Sequence, residues 1–178
     1  MLLSAGCSPT GGVALSEDQI FAPGLDTEAE AVDGAEVGHR LLAAGEYELA
    51  ISAFNRAALE RGAIDGEILA GLGAANLGLG RLNQAEGQLR RAVADPTAQP
   101  EDWNNLGVLL METGRTQEAV GIFRKAFGLS NGANIAIRDN LRLALAKLEN
   151  SATLGLENNN EYKLVRRGTS EFVIKPAP

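Results

Sequence analysis

The chain has 178 residues, 45% of them apolar and 22% charged, with one Trp, two Tyr and five Phe. That supports one domain with a modest core, and few aromatics beside abundant alanine and leucine favour closely packed helices over a β-sandwich or barrel. A net charge of −7 with one Cys and one His argues against a nucleic-acid binder, an intrachain disulfide and a zinc site. With no second histidine to build a nucleophile, base and orienting group, the chain reads as non-enzymatic, with no cofactor, metal or small-molecule substrate.

The charge is unevenly placed. Glu17, Asp18, Asp26, Glu28, Glu30, Asp33 and Glu36 fall in the first 37 residues, which hold no Lys or Arg, while the remainder is balanced. At the start, Leu2-Leu3-Ser4-Ala5-Gly6-Cys7-Ser8 runs from apolar to small residues and then to a thiol. Signal peptidases need small side chains at the scissile bond, and the thiol can carry a diacylglycerol, so residues 1–7 resemble the end of a bacterial lipobox with Cys7 as the lipidation site. Ser4 stands where such boxes usually have Leu, and the run before Cys7 is short, which places Met1 inside a longer signal peptide. Ser8, in place of the Asp that retains lipoproteins in the inner membrane, implies outer-membrane sorting. Residues 8–30 hold Ser, Thr, Pro, Gly and acids with Ile20-Phe21 as the one bulky pair, and read as an acidic flexible tether. No apolar run reaches the ~18 residues of a membrane span, so the membrane is reached through the lipid alone.

From residue 31 the chain repeats itself. Gly45, Gly80 and Gly114 lie 35 and 34 apart, and the same spacing links Ala50, Ala85 and Ala119; Phe54, Leu89 and Phe123; and Ala57, Ala92 and Ala126. Val37-Gly38, Leu72-Gly73 and Leu106-Gly107 form another set in phase, and Trp103 opens the third unit. This resembles the tetratricopeptide repeat (TPR), which implies an all-α solenoid of helix hairpins. The small residues sit where helices cross closely, the glycines at 45, 80 and 114 end the first helix of each pair, and Phe54, Leu89 and Phe123 are the knobs between layers. Repeats are expected at 31–64, 66–99 and 100–133. A capping helix follows at 134–149, with Ile135, Ile137, Leu141, Ala144, Leu145 and Leu148 inward. The glycine run at 71–80 is in phase with the repeat and lacks the lysine of a P-loop and the third glycine of a dinucleotide fold.

In such a solenoid the first helices line a concave trough, here expected to present His39, Leu42, Ala70, Ala74, Leu77, Asn104, Val108, Met111, Arg138 and Arg142. A trough this apolar suits the apolar face of an amphipathic helix or an extended partner segment better than a peptide carboxylate. The alternative is that the chain's own linker or tail covers it. His39 reads as a wall residue.

Residues 150–178 begin as a polar, asparagine-rich connector. Tyr162 and Leu164 then alternate with charged residues, Gly168 turns, and Phe172 and Ile174 alternate again: a β-hairpin that must dock on the solenoid or pair with a partner's strand. A lipobox, an acidic linker, about three repeats and this tail together resemble the TPR lipoprotein of the tight-adherence (Tad, Flp-type) pilus assembly system. The resemblance implies a pilotin-like outer-membrane lipoprotein facing the periplasm, whose partner is the secretin or another pilus-assembly component. A general periplasmic TPR adaptor of another envelope or secretion complex is the alternative.

Overall fold

The computed structural model describes residues 32–154, 162–167 and 171–176. Cys7 and the linker at 8–30 lie outside the described residues. Those described form seven helices and one hairpin: α1 (Gly34–Ala44), α2 (Tyr47–Arg61), α3 (Gly66–Gly78), α4 (Leu82–Ala92), α5 (Pro100–Glu112), α6 (Thr116–Leu129), α7 (Ile135–Leu154), β1 (Tyr162–Arg167) and β2 (Glu171–Pro176). Three hairpins, α1–α2, α3–α4 and α5–α6, stack so that α1 meets α3, α3 meets α5 and α5 meets α7. The fold is a TPR solenoid closed by α7 and carrying a two-stranded antiparallel sheet. No described helix is long and apolar enough to cross a membrane.

Local sequence explains where the helices start and stop. Asp33 caps α1 by accepting from the Ala35 amide at 2.6 Å, and Asp65 caps α3 by accepting from the Ile68 amide at 2.9 Å. At α5, Pro100 stands in the first turn and Gln99 and Asp102 form a reciprocal capping box. Gly45, Gly80 and Gly114 adopt φ of 81°, 72° and 76°, the left-handed region that lets each chain turn back after its first helix.

The layers meet through a glycine-to-knob fit. The Phe54 ring lies between α1 and α3: a Cβ on Gly38 would come within 2.8 Å of it, and one on Gly71 within 2.2 Å. Gly107 meets Phe123 in the same way, with 2.5 Å available, and Gly73 meets Leu89 with 2.7 Å. All three knobs and Ala50, Ala85 and Ala119 are fully buried. In α7, which runs on past Glu149 to Leu154, Ile137, Asn140 and Ala144 form the buried stripe. Ile135 and Leu145, expected inward, are 50% and 38% exposed, because they sit to the side of that stripe on the helix.

Ion pairs tie successive units together on the surface. Arg61, at the end of α2, reaches Asp33, Asp65 and Glu67, so one guanidinium braces the N-caps of α1 and α3. Arg81 reaches back to Glu48. Glu86 lies between Arg90 and Arg115, and Arg90 also meets Glu118. Arg115 and Arg90 hold the Glu86 carboxyl well below its ordinary 4.5, at about 2.

Gly71→Ala should destabilise the fold by about 1–3 kcal/mol in urea unfolding, since the methyl group meets the Phe54 ring. Gly121→Ala, where a Cβ meets nothing within 4 Å, should stabilise α6 by about 0.5–1 kcal/mol. For Glu86 the folded-state value is depressed, so its contribution is complete above pH 4.5 and disappears as pH falls toward 2. Glu86→Gln should therefore flatten that part of a stability-versus-pH curve and leave its slope above pH 5 unchanged.

Candidate functional site

The trough expected along the first helices is occupied by the chain's own C-terminal strand. β2 packs on α5 and α7, and Phe172 and Ile174 belong to one buried cluster with Leu42, Ala74, Leu77, Val108 and Met111. Phe172 is 1% exposed and its ring centroid lies 6.4 Å from that of Tyr47 at the start of α2. Val173, which alternation places on the opposite face from its neighbours, is buried as well. The strand's side chains thus fill the apolar floor that an outside segment would need.

Its backbone is held as tightly as its side chains. Asn140 on α7 donates from Nδ2 to the Phe172 carbonyl at 2.9 Å and accepts the Ile174 amide on Oδ1 at 3.2 Å. Asn104 on α5 donates to the same carbonyl at 3.1 Å, and its Oδ1 accepts from Asn140 Nδ2 at 2.8 Å. Residues i and i+2 of a strand turn their backbone groups to the same edge. The Asn140 side-chain amide therefore stands in for a peptide group of a third strand along that edge. On the other edge β2 pairs with β1, with Leu164 opposite Ile174, Val165 opposite Val173, and Tyr162 opposite Pro176. Both asparagines are fully buried, and the hydrogen bonds described offset the desolvation of their amides.

The other expected groove residues are placed differently. Ala70 belongs to a small separate cluster with Leu69 and Ala92. Arg138 and Arg142 are exposed and turn to Asp139, at 3.4 and 3.9 Å, so they form no anion grip with Asn104. His39 is half-buried at the open end of the row, with Nε2 3.2 Å from Glu67 Oε1 and its ring edge-on to Phe54 at 5.1 Å. Burial raises the Asp102 carboxyl above its ordinary range, against the lowering effect of the Gln99 amide. Sequence reasoning missed Asn140. Its signal was a polar residue at helical spacing between Ile137 and Ala144, on the face that the same reasoning assigned to the core. Among the described residues no group of His, Cys, Asp and Glu is arranged to hold a metal ion.

Family comparison agrees with this geometry. A tetratricopeptide-repeat model matches residues 38–102 and 77–134, more than half of the chain. The chain belongs to the tetratricopeptide-repeat family. Tetratricopeptide repeats are protein-interaction scaffolds, and the fold here is theirs. Among solved structures, the Sgt2 TPR domain from Aspergillus fumigatus is similar at 20% identity and a TM-score of 0.61, over 73% of this chain and 86% of that one. The second TPR domain of human RPAP3, solved in complex with an HSP70 peptide, is similar at 20% identity and a TM-score of 0.55, over 65% and 94%. MamA is similar at 21% identity and a TM-score of 0.56, over 65% and 67%. At these identities the likeness is one of fold. No curated protein matches the chain by sequence.

The asparagine clamp makes a specific prediction. Asn140→Leu removes the partner of the Ile174 amide and leaves Asn104 Oδ1 unpaired, a loss of about 1–3 kcal/mol. By hydrogen exchange, protection at the Ile174 amide should fall at least about tenfold while the α3 amides of Leu72 and Ala75 keep theirs. Unchanged protection at Ile174 would mean that side-chain burial alone seats the strand.

Proposed function

We propose that this chain is a non-enzymatic, pilotin-like outer-membrane lipoprotein of the tight-adherence pilus system, anchored through Cys7. Its partner is an extended segment of the secretin or of another pilus-assembly component. The observation that carries this reading is the seating of β2: a trough that already holds an extended strand by its backbone edge and by alternate apolar side chains.

Such a trough is suited to strand exchange. Asn104 and Asn140 contact main-chain atoms of β2, which every peptide has, while the pockets around Phe172 and Ile174 ask only for apolar residues two apart. A partner segment of that pattern takes over the same hydrogen bonds and the same pockets. The net cost of exchange is the difference between two similar burials, which leaves the scaffold selective without making the resident strand immovable. The RPAP3 structure with its HSP70 peptide supports a peptide-holding role for a fold of this kind, and the tail's resemblance to the Tad lipoprotein supports the particular partner. Acylation at Cys7 keeps the solenoid within tether length of the outer membrane.

The test is a strain deleted for this gene and complemented with wild type or with Cys7→Ala, scored by secretin multimers in the outer-membrane fraction. Multimers should be lost in the deletion, return with wild type and remain low with Cys7→Ala. Normal assembly in all strains would overturn the pilotin role and leave an adaptor whose partner is found by crosslinking.

A further inference from the structure

A second cleft opens on the other row of helices, and it shares no lining residue with the trough that holds β2. It has a volume of about 540 Å³ and lies between α2 and α4 over the floor of α3. Ile51 and Asn55 on α2, Leu72 and Asn76 on α3, and Asn83, Gln84, Gly87, Gln88 and Arg91 on α4 line it, with Arg81 at one end. Spacings of three and four residues put these groups on one face of each helix.

The repeat itself marks this cleft as unusual. In repeat phase, Asn76 corresponds to Leu41 and Leu110, and Gln88 to Ala53 and Ile122. Only the middle unit puts an amide at both positions, and the two amides meet across the α3–α4 hairpin at 2.9 Å. Asn76 is 4% exposed, its Nδ2 also donates to the Leu72 carbonyl at 3.0 Å, and its Oδ1 has no hydrogen-bond partner among the described residues. A hairpin built for stability alone would repeat the apolar pair of its neighbours, since a buried polar atom without a partner is costly. Next to this pair a Cβ on Gly87 would meet nothing within 4 Å, so the cleft stays open over the amides.

Charge in the cleft is of one sign. Among the described residues no acidic side chain lines it, and Arg81 is held at the rim by Glu48. Arg91 differs from its counterparts in the repeat: Arg56 pairs with Glu60, and Lys125 lies 3.7 Å over the Trp103 ring. Among the described residues Arg91 has no carboxylate partner.

We propose that this cleft binds an extended peptide segment carrying an Asp or Glu, with the carboxylate on the Arg91 guanidinium and the peptide main chain along the Asn55, Asn83, Gln84 and Gln88 amides. Side-chain amides both donate and accept, as peptide groups do, so a row of them suits a main chain and not a bare anion. Arg91 supplies the planar, charged donor that a carboxylate accepts in pairs. Ile51 and Leu72 give the segment apolar contact on the walls.

The probe is fluorescein-labelled Gly-Glu-Gly-Asp-Gly, titrated by fluorescence anisotropy at low salt against the full chain, beside the neutral Gly-Gln-Gly-Asn-Gly. The acidic probe should bind about tenfold or more tightly than the neutral one, and Arg91→Gln should remove that preference. Asn76→Leu with Gln88→Ile, the residues of the third repeat, should abolish binding of both probes while raising or preserving the unfolding midpoint, so loss of binding is not loss of fold. Asn140→Leu, in the separate trough, should leave probe binding unchanged. Equal binding of the two probes, wild-type affinity in the Asn76→Leu/Gln88→Ile chain, or equal affinity for free N-acetylglutamate would each overturn the proposal.

Discussion

The seating of an aromatic ring against glycine is the constraint from which the architecture follows. Phe54 occupies space that a Cβ on Gly38 or Gly71 would fill, and those glycines belong to helices of successive units. The ring therefore sets both the spacing of α1 against α2 and the spacing of α2 against α3. Leu89 against Gly73 and Phe123 against Gly107 repeat the fit inside the second and third hairpins, holding each first helix close to its second, and this packing bears on the width of the trough that the first helices line. A bulkier residue at the glycine positions would push the axes apart and change that width, so the site depends on packing buried well away from it.

A trough of that width lined with Leu42, Ala74, Leu77, Val108 and Met111 is too apolar to leave open. The chain covers it with a strand, and a strand brings a backbone edge that water no longer reaches. Asn104 and Asn140 answer that requirement. They cost desolvation, yet one amide supplies a donor and an acceptor at the spacing of a strand edge, which no aliphatic residue can do. Hydrophobic burial supplies the strength of the docking, and the two asparagines supply its register. A strand shifted by one residue would turn Phe172 and Ile174 away from the floor and present the wrong backbone groups to Asn140.

Much of this was legible in the sequence because it is periodic. The glycine and alanine positions recur at 34 and 35 residues, and each carries a local steric reason, so the solenoid can be read without knowing any long-range contact. The hairpin was legible from alternation around Gly168. That it must dock on the solenoid or on a partner was legible too, but the contacts that seat it were not, since they join Asn104 to Phe172 and Asn140 to Ile174, across 68 and 34 positions with no shared period. Asn140 was passed over because a polar residue on an otherwise apolar helix face reads as noise until its partner is visible. Arg138 and Arg142 entered the expected trough by helical position alone. They lie beyond the buried stripe of α7 and face Asp139 on their own helix.

The two surfaces are separable for a physical reason. β2 rests on α5 and α7 and shares a buried cluster with Leu42, Ala74 and Leu77 of the earlier repeats, whereas the amide cleft opens between α2 and α4 on the other side of α3. Among the described residues no hydrogen bond links Asn76 or Gln88 to Asn104 or Asn140. Stacked repeats interact mainly with their neighbours, and the α3–α4 hairpin that carries the amide pair stands between the first repeat and the third. That hairpin is braced on both sides, by Arg61 on the caps of α1 and α3 and by the Glu86 network toward α6. In the exchange proposed above, the backbone grip that changes hands lies on α5 and α7, outside the helices that build the amide cleft.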